Sequence, residues 1–135
     1  MPQTILIAED DRIIRDLVKQ VLAAGGHRVI PAANPKEALE AVADHEGDID
    51  LLLTDVMMPS MSGPDLAVEM RKLHPAIRVI YMSGVTNYDK VQRDIVASGT
   101  PFLKKPFSME DLNAAVNRAL AAPPTTGTPP PPPGA

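Results

Sequence analysis

Five short runs rich in Ile, Leu and Val, each followed by a longer stretch, mostly of helical period, restrict this chain to repeated βα units around a parallel sheet. The runs are TILIA, HRVI, DLLLT, RVIYM and PFLK, beginning at Thr4, His27, Asp50, Arg78 and Pro101. Between the first two, Ile13, Ile14, Leu17, Val18, Val21 and Leu22 recur at helical intervals, which predicts a helix with that side turned to a core and ended by Gly25 and Gly26. Asn34 followed by Pro35 makes an N-cap with proline at the first helical position, so a second helix runs from there to near Gly47 and buries Leu39 and Val42. A third follows Gly63 and Pro64, carries Leu66, Met70 and Leu73, and reaches His74 and Pro75. The fourth, about residues 88–98, is the least apolar. The fifth begins at Ser108, with Asp111 three residues on, and buries Leu112, Val116 and Leu120. Right-handed crossovers with helices on both faces turn this alternation into an α/β fold, a doubly wound five-stranded parallel sheet of order 2-1-3-4-5 with five helices.

At 135 residues the chain has room for one such domain and no second. Seven of its 15 prolines fall between Pro123 and Pro133, which divides it into a folded unit over 1–121 and a Pro-rich tail over 122–135, expected to be disordered or polyproline II and to act as a spacer. Cysteine is absent, which excludes disulfides and thiolate metal sites and suits a reducing cytoplasm. No signal peptide or apolar run of membrane-spanning length is expected. A net charge of −4 with dispersed Lys and Arg argues against nucleic acid as a partner.

In such sheets, chemistry collects at the carboxyl ends of the strands. Glu9, Asp10 and Asp11 follow the first run, Asp55 the third, Ser83 the fourth, and Lys104 and Lys105 the fifth. Any one of these could be a solvated loop charge or a helix cap, but their joint placement points to a site. Strands one and three are neighbours in the expected order, so Glu9, Asp10 and Asp55 converge and repel. A hard divalent cation relieves that repulsion, and Mg2+ (or Mn2+) prefers such oxygen ligands. Three carboxylates and one lysine leave two negative charges, which one Mg2+ neutralises. Lys105 is then available to pair with Asp55 or an anion on it, while Ser83 and Gly84 offer a hydroxyl and a closely approaching backbone N–H. An aspartate so surrounded is equipped to attack phosphorus and form an acyl phosphate.

The ordered set ILIAEDD, LLLTDVMMPSMSG, VIYMSG and FLKKPF resembles the response-regulator receiver domain of two-component and phosphorelay signalling, over residues 3 to about 121. The resemblance implies a phosphoacceptor at Asp55 and a metal shell of Glu9, Asp10, Asp55 and the backbone carbonyl of Met57. It implies phosphoryl-binding and switch roles for Ser83, Gly84, Lys105 and the aromatic Phe102, and a cis peptide bond before Pro106. Asp11 and Lys104 fall outside the site. It implies that Met57 and Val85, two residues after the phosphoacceptor and two after the hydroxyl residue, govern the rate of dephosphorylation. The phosphoryl donor is expected to be a phosphohistidine on a histidine kinase or histidine phosphotransfer protein. A downstream protein is expected on the face made by helix 4, strand 5 and helix 5.

Other functions fit less well. A flavin site needs a phosphate-cradling first loop and aromatic walls, whereas this loop is Glu-Asp-Asp and aromatics are 3% of the chain. No G-x-G-x-x-G follows the first strand, which excludes a dinucleotide enzyme. Phosphohydrolases with an aspartate nucleophile carry a second aspartate two residues on, where this chain has Met57. The chain is therefore expected to catalyse only its own phosphorylation and dephosphorylation, as a stand-alone regulator, a phosphate sink or the receiver module of a hybrid histidine kinase.

Overall fold

A computed structural model describes residues 3–45, 47–83 and 101–121. Its elements are β1 (Thr4–Ala8), α1 (Arg12–Ala24), β2 (Arg28–Ala32), α2 (Pro35–Asp44), β3 (Leu51–Asp55), α3 (Gly63–Leu73), β4 (Arg78–Ser83), β5 (Phe102–Lys104) and α4 (Met109–Ala121). Thus α4 is the fifth helix expected from the sequence. The expected fourth, about residues 88–98, lies outside the described residues, as do Gly84, Val85 and the Pro-rich tail. The five strands pair in parallel in the order β2-β1-β3-β4-β5.

Both faces of the sheet are covered, which is why the central strands read as unbroken apolar runs instead of alternating ones. Ile5, Leu6, Ile7 and Ala8 of β1 and Leu51, Leu52 and Leu53 of β3 are fully buried. Alternate side chains enter opposite cores. Leu6, Leu52, Val79 and Tyr81 pack with Ala38, Val42, Leu66 and Met70 of α2 and α3. On the other face, Ile5, Ile7, Leu53 and Ile80 pack with Val18 and Leu22 of α1 and Leu112 and Val116 of α4.

The helix ends carry the caps that the sequence announces. The Glu37 N–H donates to the Asn34 side chain at 2.8 Å, ahead of Pro35. Ser108 and Asp111 satisfy each other's backbone N–H groups at 3.0 and 3.3 Å, a reciprocal capping box. α1 stops at Gly25, and Gly26 follows with a φ of 91°, which glycine adopts without strain.

Several expectations are corrected. Ile13 is 80% exposed and Leu17 47% exposed, so α1 does not bury the whole apolar side read from its period. At 3.6 residues per turn the six apolar positions span about half the helix circumference. The sheet covers only the arc around Val18, Val21 and Leu22, leaving Ile14 half-buried. Leu73, the last residue of α3, is 56% exposed for the same reason, and Leu39 and Leu120 are half-buried against the core. β2 runs Arg28–Ala32, later than HRVI, and includes Pro31; as an edge strand it tolerates a residue with no N–H to donate.

α3 begins hard against β3. The Gly63 N–H donates to the Val56 carbonyl at 2.7 Å, and a Cβ on Gly63 would overlap the Asp55 carbonyl oxygen. Gly63→Ala is therefore expected to lower stability by about 1–3 kcal/mol, the range for overpacking a close-fitting interior. Urea unfolding of the two proteins side by side measures it, and an unchanged midpoint would contradict this account of the contact.

Candidate functional site

The parallel register sets Ala8 of β1 opposite Thr54 of β3, so the residues that follow, Glu9 and Asp55, emerge side by side at the carboxyl ends. Glu9 is fixed from three directions. Its N–H donates to the Ala32 carbonyl at 3.1 Å, its carbonyl accepts from Arg15 Nη1 at 2.9 Å, and its fully buried side chain accepts from Lys105 Nζ at 2.5 Å. Lys105 also lies 2.6 Å from Asp55 Oδ1, so one ammonium bridges two buried carboxylates. The lysine is itself anchored through its backbone N–H, which donates to the Ser83 carbonyl at 2.8 Å. The Lys105–Pro106 peptide bond is cis.

Asp10 completes the group. Its side chain is exposed. Carboxylate oxygens of Glu9, Asp10 and Asp55 all lie within 4.8 Å of one another. Glu9 Oε2 and Asp55 Oδ2 are buried without a hydrogen-bond partner. Leaving a buried acceptor unsatisfied is costly, and here two lie beside a third carboxylate with one lysine, among the described residues, to balance them. Oxygen donors of this kind, with net negative charge and free lone pairs, fit a hard divalent cation such as Mg2+.

The Asp55 carboxyl lies above the ordinary aspartate range. Burial is the largest cause, opposed by the hydrogen bond and charge of Lys105 and by the Asp10 N–H. The carboxylate is thus less comfortable as an anion than in water, although its partners favour that form.

Of the residues nominated from the sequence, the structure brings together Glu9, Asp10, Asp55 and Lys105. Ser83 is buried at the end of β4, beside β5. Met57 is 43% exposed just after the phosphoacceptor candidate. Phe102 is half-buried, level with Tyr81 on β4 and packed against the same core. Asp11 caps α1, accepting from the N–H groups of Ile13 and Ile14 at 2.9 and 3.4 Å, and Lys104 is exposed. Two residues at the site were not singled out beforehand as part of it. Gly63 was read only as a helix start, although the glycine directly before Pro64 was a signal of close approach. Arg15 gave no signal, because its guanidinium binds a main-chain carbonyl, which no sequence pattern records.

Residues 5–117 match the family model of the response regulator receiver domain. The chain is 38% identical over 117 residues to the DNA-binding transcriptional regulator NtrC of Azospirillum brasilense, covering 87% of this chain and 24% of that protein. It is also 38% identical over 118 residues to the sensor kinase CckA of Brucella abortus, covering 87% of this chain and 12% of that protein. The chain therefore spans a quarter or less of these relatives. Among solved structures, a response regulator receiver domain protein from Clostridium thermocellum superposes with a TM-score of 0.75 at 30% identity, covering 87% of this chain and 94% of that one. The receiver domain of the hybrid histidine kinase CckA gives 0.71 at 32% identity, covering 87% and 98%.

The raised Asp55 carboxyl has a consequence for stability. An acid held above its unfolded value stabilises the fold while protonated, and that contribution is lost as pH rises through the folded value. At neutral pH without divalent cations, Asp55→Asn should therefore be more stable than the parent, because Lys105 keeps Glu9 as a partner. The difference should shrink as pH falls from the raised Asp55 value towards the ordinary aspartate range and stay constant below it. Urea unfolding in chelator at several pH values checks both parts, and a less stable variant at neutral pH would contradict the electrostatic account.

Proposed function

The chain belongs to the response regulator receiver domain family, and from that membership we propose that it accepts a phosphoryl group on Asp55 and thereby switches a protein-interaction surface. The observation that supports this most directly is the Lys105 ammonium spanning Glu9 and Asp55 while one oxygen of each carboxylate stays buried and unpartnered. A purely structural ion pair gains nothing from two such orphans.

In this reading Glu9, Asp10, Asp55 and the Met57 backbone carbonyl hold Mg2+ or Mn2+. The ion supplies charge neutralisation for the transferring phosphoryl group. An Asp55 oxygen attacks phosphorus, the P–N bond of a phosphohistidine breaks, and its electron pair returns to the imidazole of a histidine kinase or phosphotransfer protein. Lys105 offsets negative charge on the phosphoryl oxygens. Ser83 and the Gly84 N–H supply neutral donors, and Phe102 follows the Ser83 movement to alter the face around β5 and α4. The exposed Ile13 and Leu17, on the helix that leads away from the acidic loop, offer an apolar edge for the donor protein. No helix among the described residues is long and apolar enough to cross a membrane, and the acidic net charge gives nucleic acid no purchase. The chain's chemistry is confined to gaining and losing its own phosphoryl group. The likeness to both NtrC and CckA suits either a regulator or the receiver module of a hybrid histidine kinase.

The test is labelling by acetyl phosphate. Mass spectrometry should show one phosphoryl group added in Mg2+, none in excess chelator and none in Asp55→Asn. Label that survives either change would refute the acceptor or the mechanism.

The acyl phosphate should also be long-lived. Its hydrolysis needs a water oriented beside the phosphoryl group, and in this reading Met57 and Val85 flank that approach. A thioether and a branched alkyl group cannot orient water as polar side chains can. Met57→Asn combined with Val85→Glu should therefore decay about tenfold faster than the parent, which corresponds to about 1.4 kcal/mol of barrier. Decay is timed in excess Mg2+ with no kinase or phosphatase, and equal lifetimes would remove these two residues from the account.

A further inference from the structure

β3 is apolar at every position before Asp55 except one. Thr54 stands two residues after Leu52, is fully buried, and carries a hydroxyl where valine would have the same shape. Burying a hydroxyl is costly unless it is bonded, and this one finds its partner on Asp55 itself: Thr54 Oγ1 donates to the Asp55 carbonyl oxygen at 3.0 Å. The same hydroxyl oxygen lies 4.0 Å from Met58 Sδ, so it sits inside the turn that carries the chain from Asp55 to Met58 and touches both ends of it. We propose that Thr54 is a positioning residue for the divalent cation, its hydroxyl fixing the peptide group between Asp55 and Val56 and with it the place of the Met57 carbonyl relative to the Asp55 carboxylate. The proposal rests on the reading in which those two groups share the ion.

Three observations carry it. First, the main chain leaving Asp55 is tied group by group. The Asp55 carbonyl accepts from Thr54 Oγ1, the Val56 N–H donates to the Met82 carbonyl at 2.9 Å, and the Val56 carbonyl accepts from the Gly63 N–H at 2.7 Å. Of these three bonds only the first is made by a side chain, so it is the one a substitution can remove. Second, the peptide group is planar, which leaves rotation about the Asp55 Cα–C bond as the freedom between the carbon bearing the carboxylate and the residues after it. The carboxylate is held apart from that rotation by Lys105 at 2.6 Å. A turn of the plane would therefore leave the carboxylate in place and swing Val56 and Met57. The Thr54 hydroxyl on the oxygen and the Met82 carbonyl on the nitrogen hold the plane by its two ends, and loss of either leaves a single pivot. Third, the ion that suits this cluster is the one least tolerant of such a swing. Mg2+ demands near-ideal octahedral geometry at about 2.0–2.1 Å, whereas Ca2+ takes longer bonds in a flexible shell.

Thr54→Val, which removes the hydroxyl and keeps the shape, tests this in two arms. In the metal-free, 13C-labelled protein the Asp55 carbonyl carbon should move upfield as it loses its donor. In calorimetric titration the Mg2+ dissociation constant should rise about tenfold, the lower end of the effect of removing an outer hydrogen bond from a metal site. The Ca2+ constant should rise by less, so the preference for Mg2+ over Ca2+ falls. Thr54→Ser keeps the hydroxyl and loses a methyl from a fully buried position, so its urea midpoint should drop while it binds Mg2+ as tightly as the parent. A residue that only filled the core would show affinity following stability instead. An Asp55 carbonyl carbon that does not move, a valine variant with the parent's Mg2+ affinity, an equal loss for both ions, or a serine variant as weak as the valine one would each overturn the proposal. Should Thr54→Val fail to fold, Thr54→Ala removes the same hydroxyl and is read in the same way against the serine variant. A parent chain that binds no Mg2+ would overturn the reading of the acidic cluster and the proposal with it, whereas a parent that binds and a valine variant that binds equally would overturn the proposal alone.

Discussion

A single ammonium group, Lys105 Nζ, lies between two buried carboxylates that have no other cation against them among the described residues, and the arrangement of the strand ends depends on it. Without that lysine, Glu9 and Asp55 would be like charges in a poorly solvated space, and one of them would have to protonate. With it, the pair is held at hydrogen-bond distance but not neutralised, because Asp10 and the second oxygen of each buried carboxylate remain. The fold thus keeps a charge deficit at one place and spends the apolar burial of both cores on tolerating it. Such a site responds strongly to whatever cation or anion enters, which is the property a signalling domain requires.

The route by which Lys105 arrives explains why a parallel sheet suits this task. Glu9, Asp55, Ser83 and Lys105 come from four strands, widely separated in sequence, and only a common direction of all four brings their ends to one edge. Thr54 and Asp55 are already buried within β3, so the acceptor candidate has no loop freedom of its own. Gly63 removes what remains. α3 starts so close to the Asp55 backbone that no side chain fits between them, and its N–H holds the Val56 carbonyl. The lysine is less constrained, with an 18% exposed side chain just after a three-residue strand. The aspartate is rigid and its counter-charge adjustable.

Much of this was legible in the sequence because the relevant signals are local. Unbroken apolar runs mark strands buried on two faces, Asn34-Pro35 and Ser108 with Asp111 mark helix starts, and polar residues at run ends mark the site edge. Strand order followed from handedness and the number of βα units, and it placed Glu9 next to Asp55 before any coordinates did. What escaped depends on the width of a packing surface or on main-chain partners. The apolar period of α1 does not say how far the sheet extends beneath it, so Ile13 and Leu17 read as core although they face outward. Arg15 lies in the same helix and its role is set by a carbonyl oxygen, a group that every residue carries.

Those two kinds of oversight meet on one helix, which gives α1 a significance its sequence does not advertise. Its first turn is capped by Asp11, its Arg15 donates to the Glu9 carbonyl in the loop that carries the acidic residues, and its Ile13 and Leu17 are exposed one turn apart. Apolar side chains at i and i+4 form a continuous edge, and such an edge left in water favours contact with a partner. A protein pressing on Ile13 and Leu17 would therefore bear on the same short helix segment that holds the Glu9 carbonyl. That carbonyl belongs to the loop between β1 and α1, whereas β1 itself is held by the ladders on both its sides. The exposed apolar edge and the arginine that holds the acidic loop thus lie on the same two turns of α1.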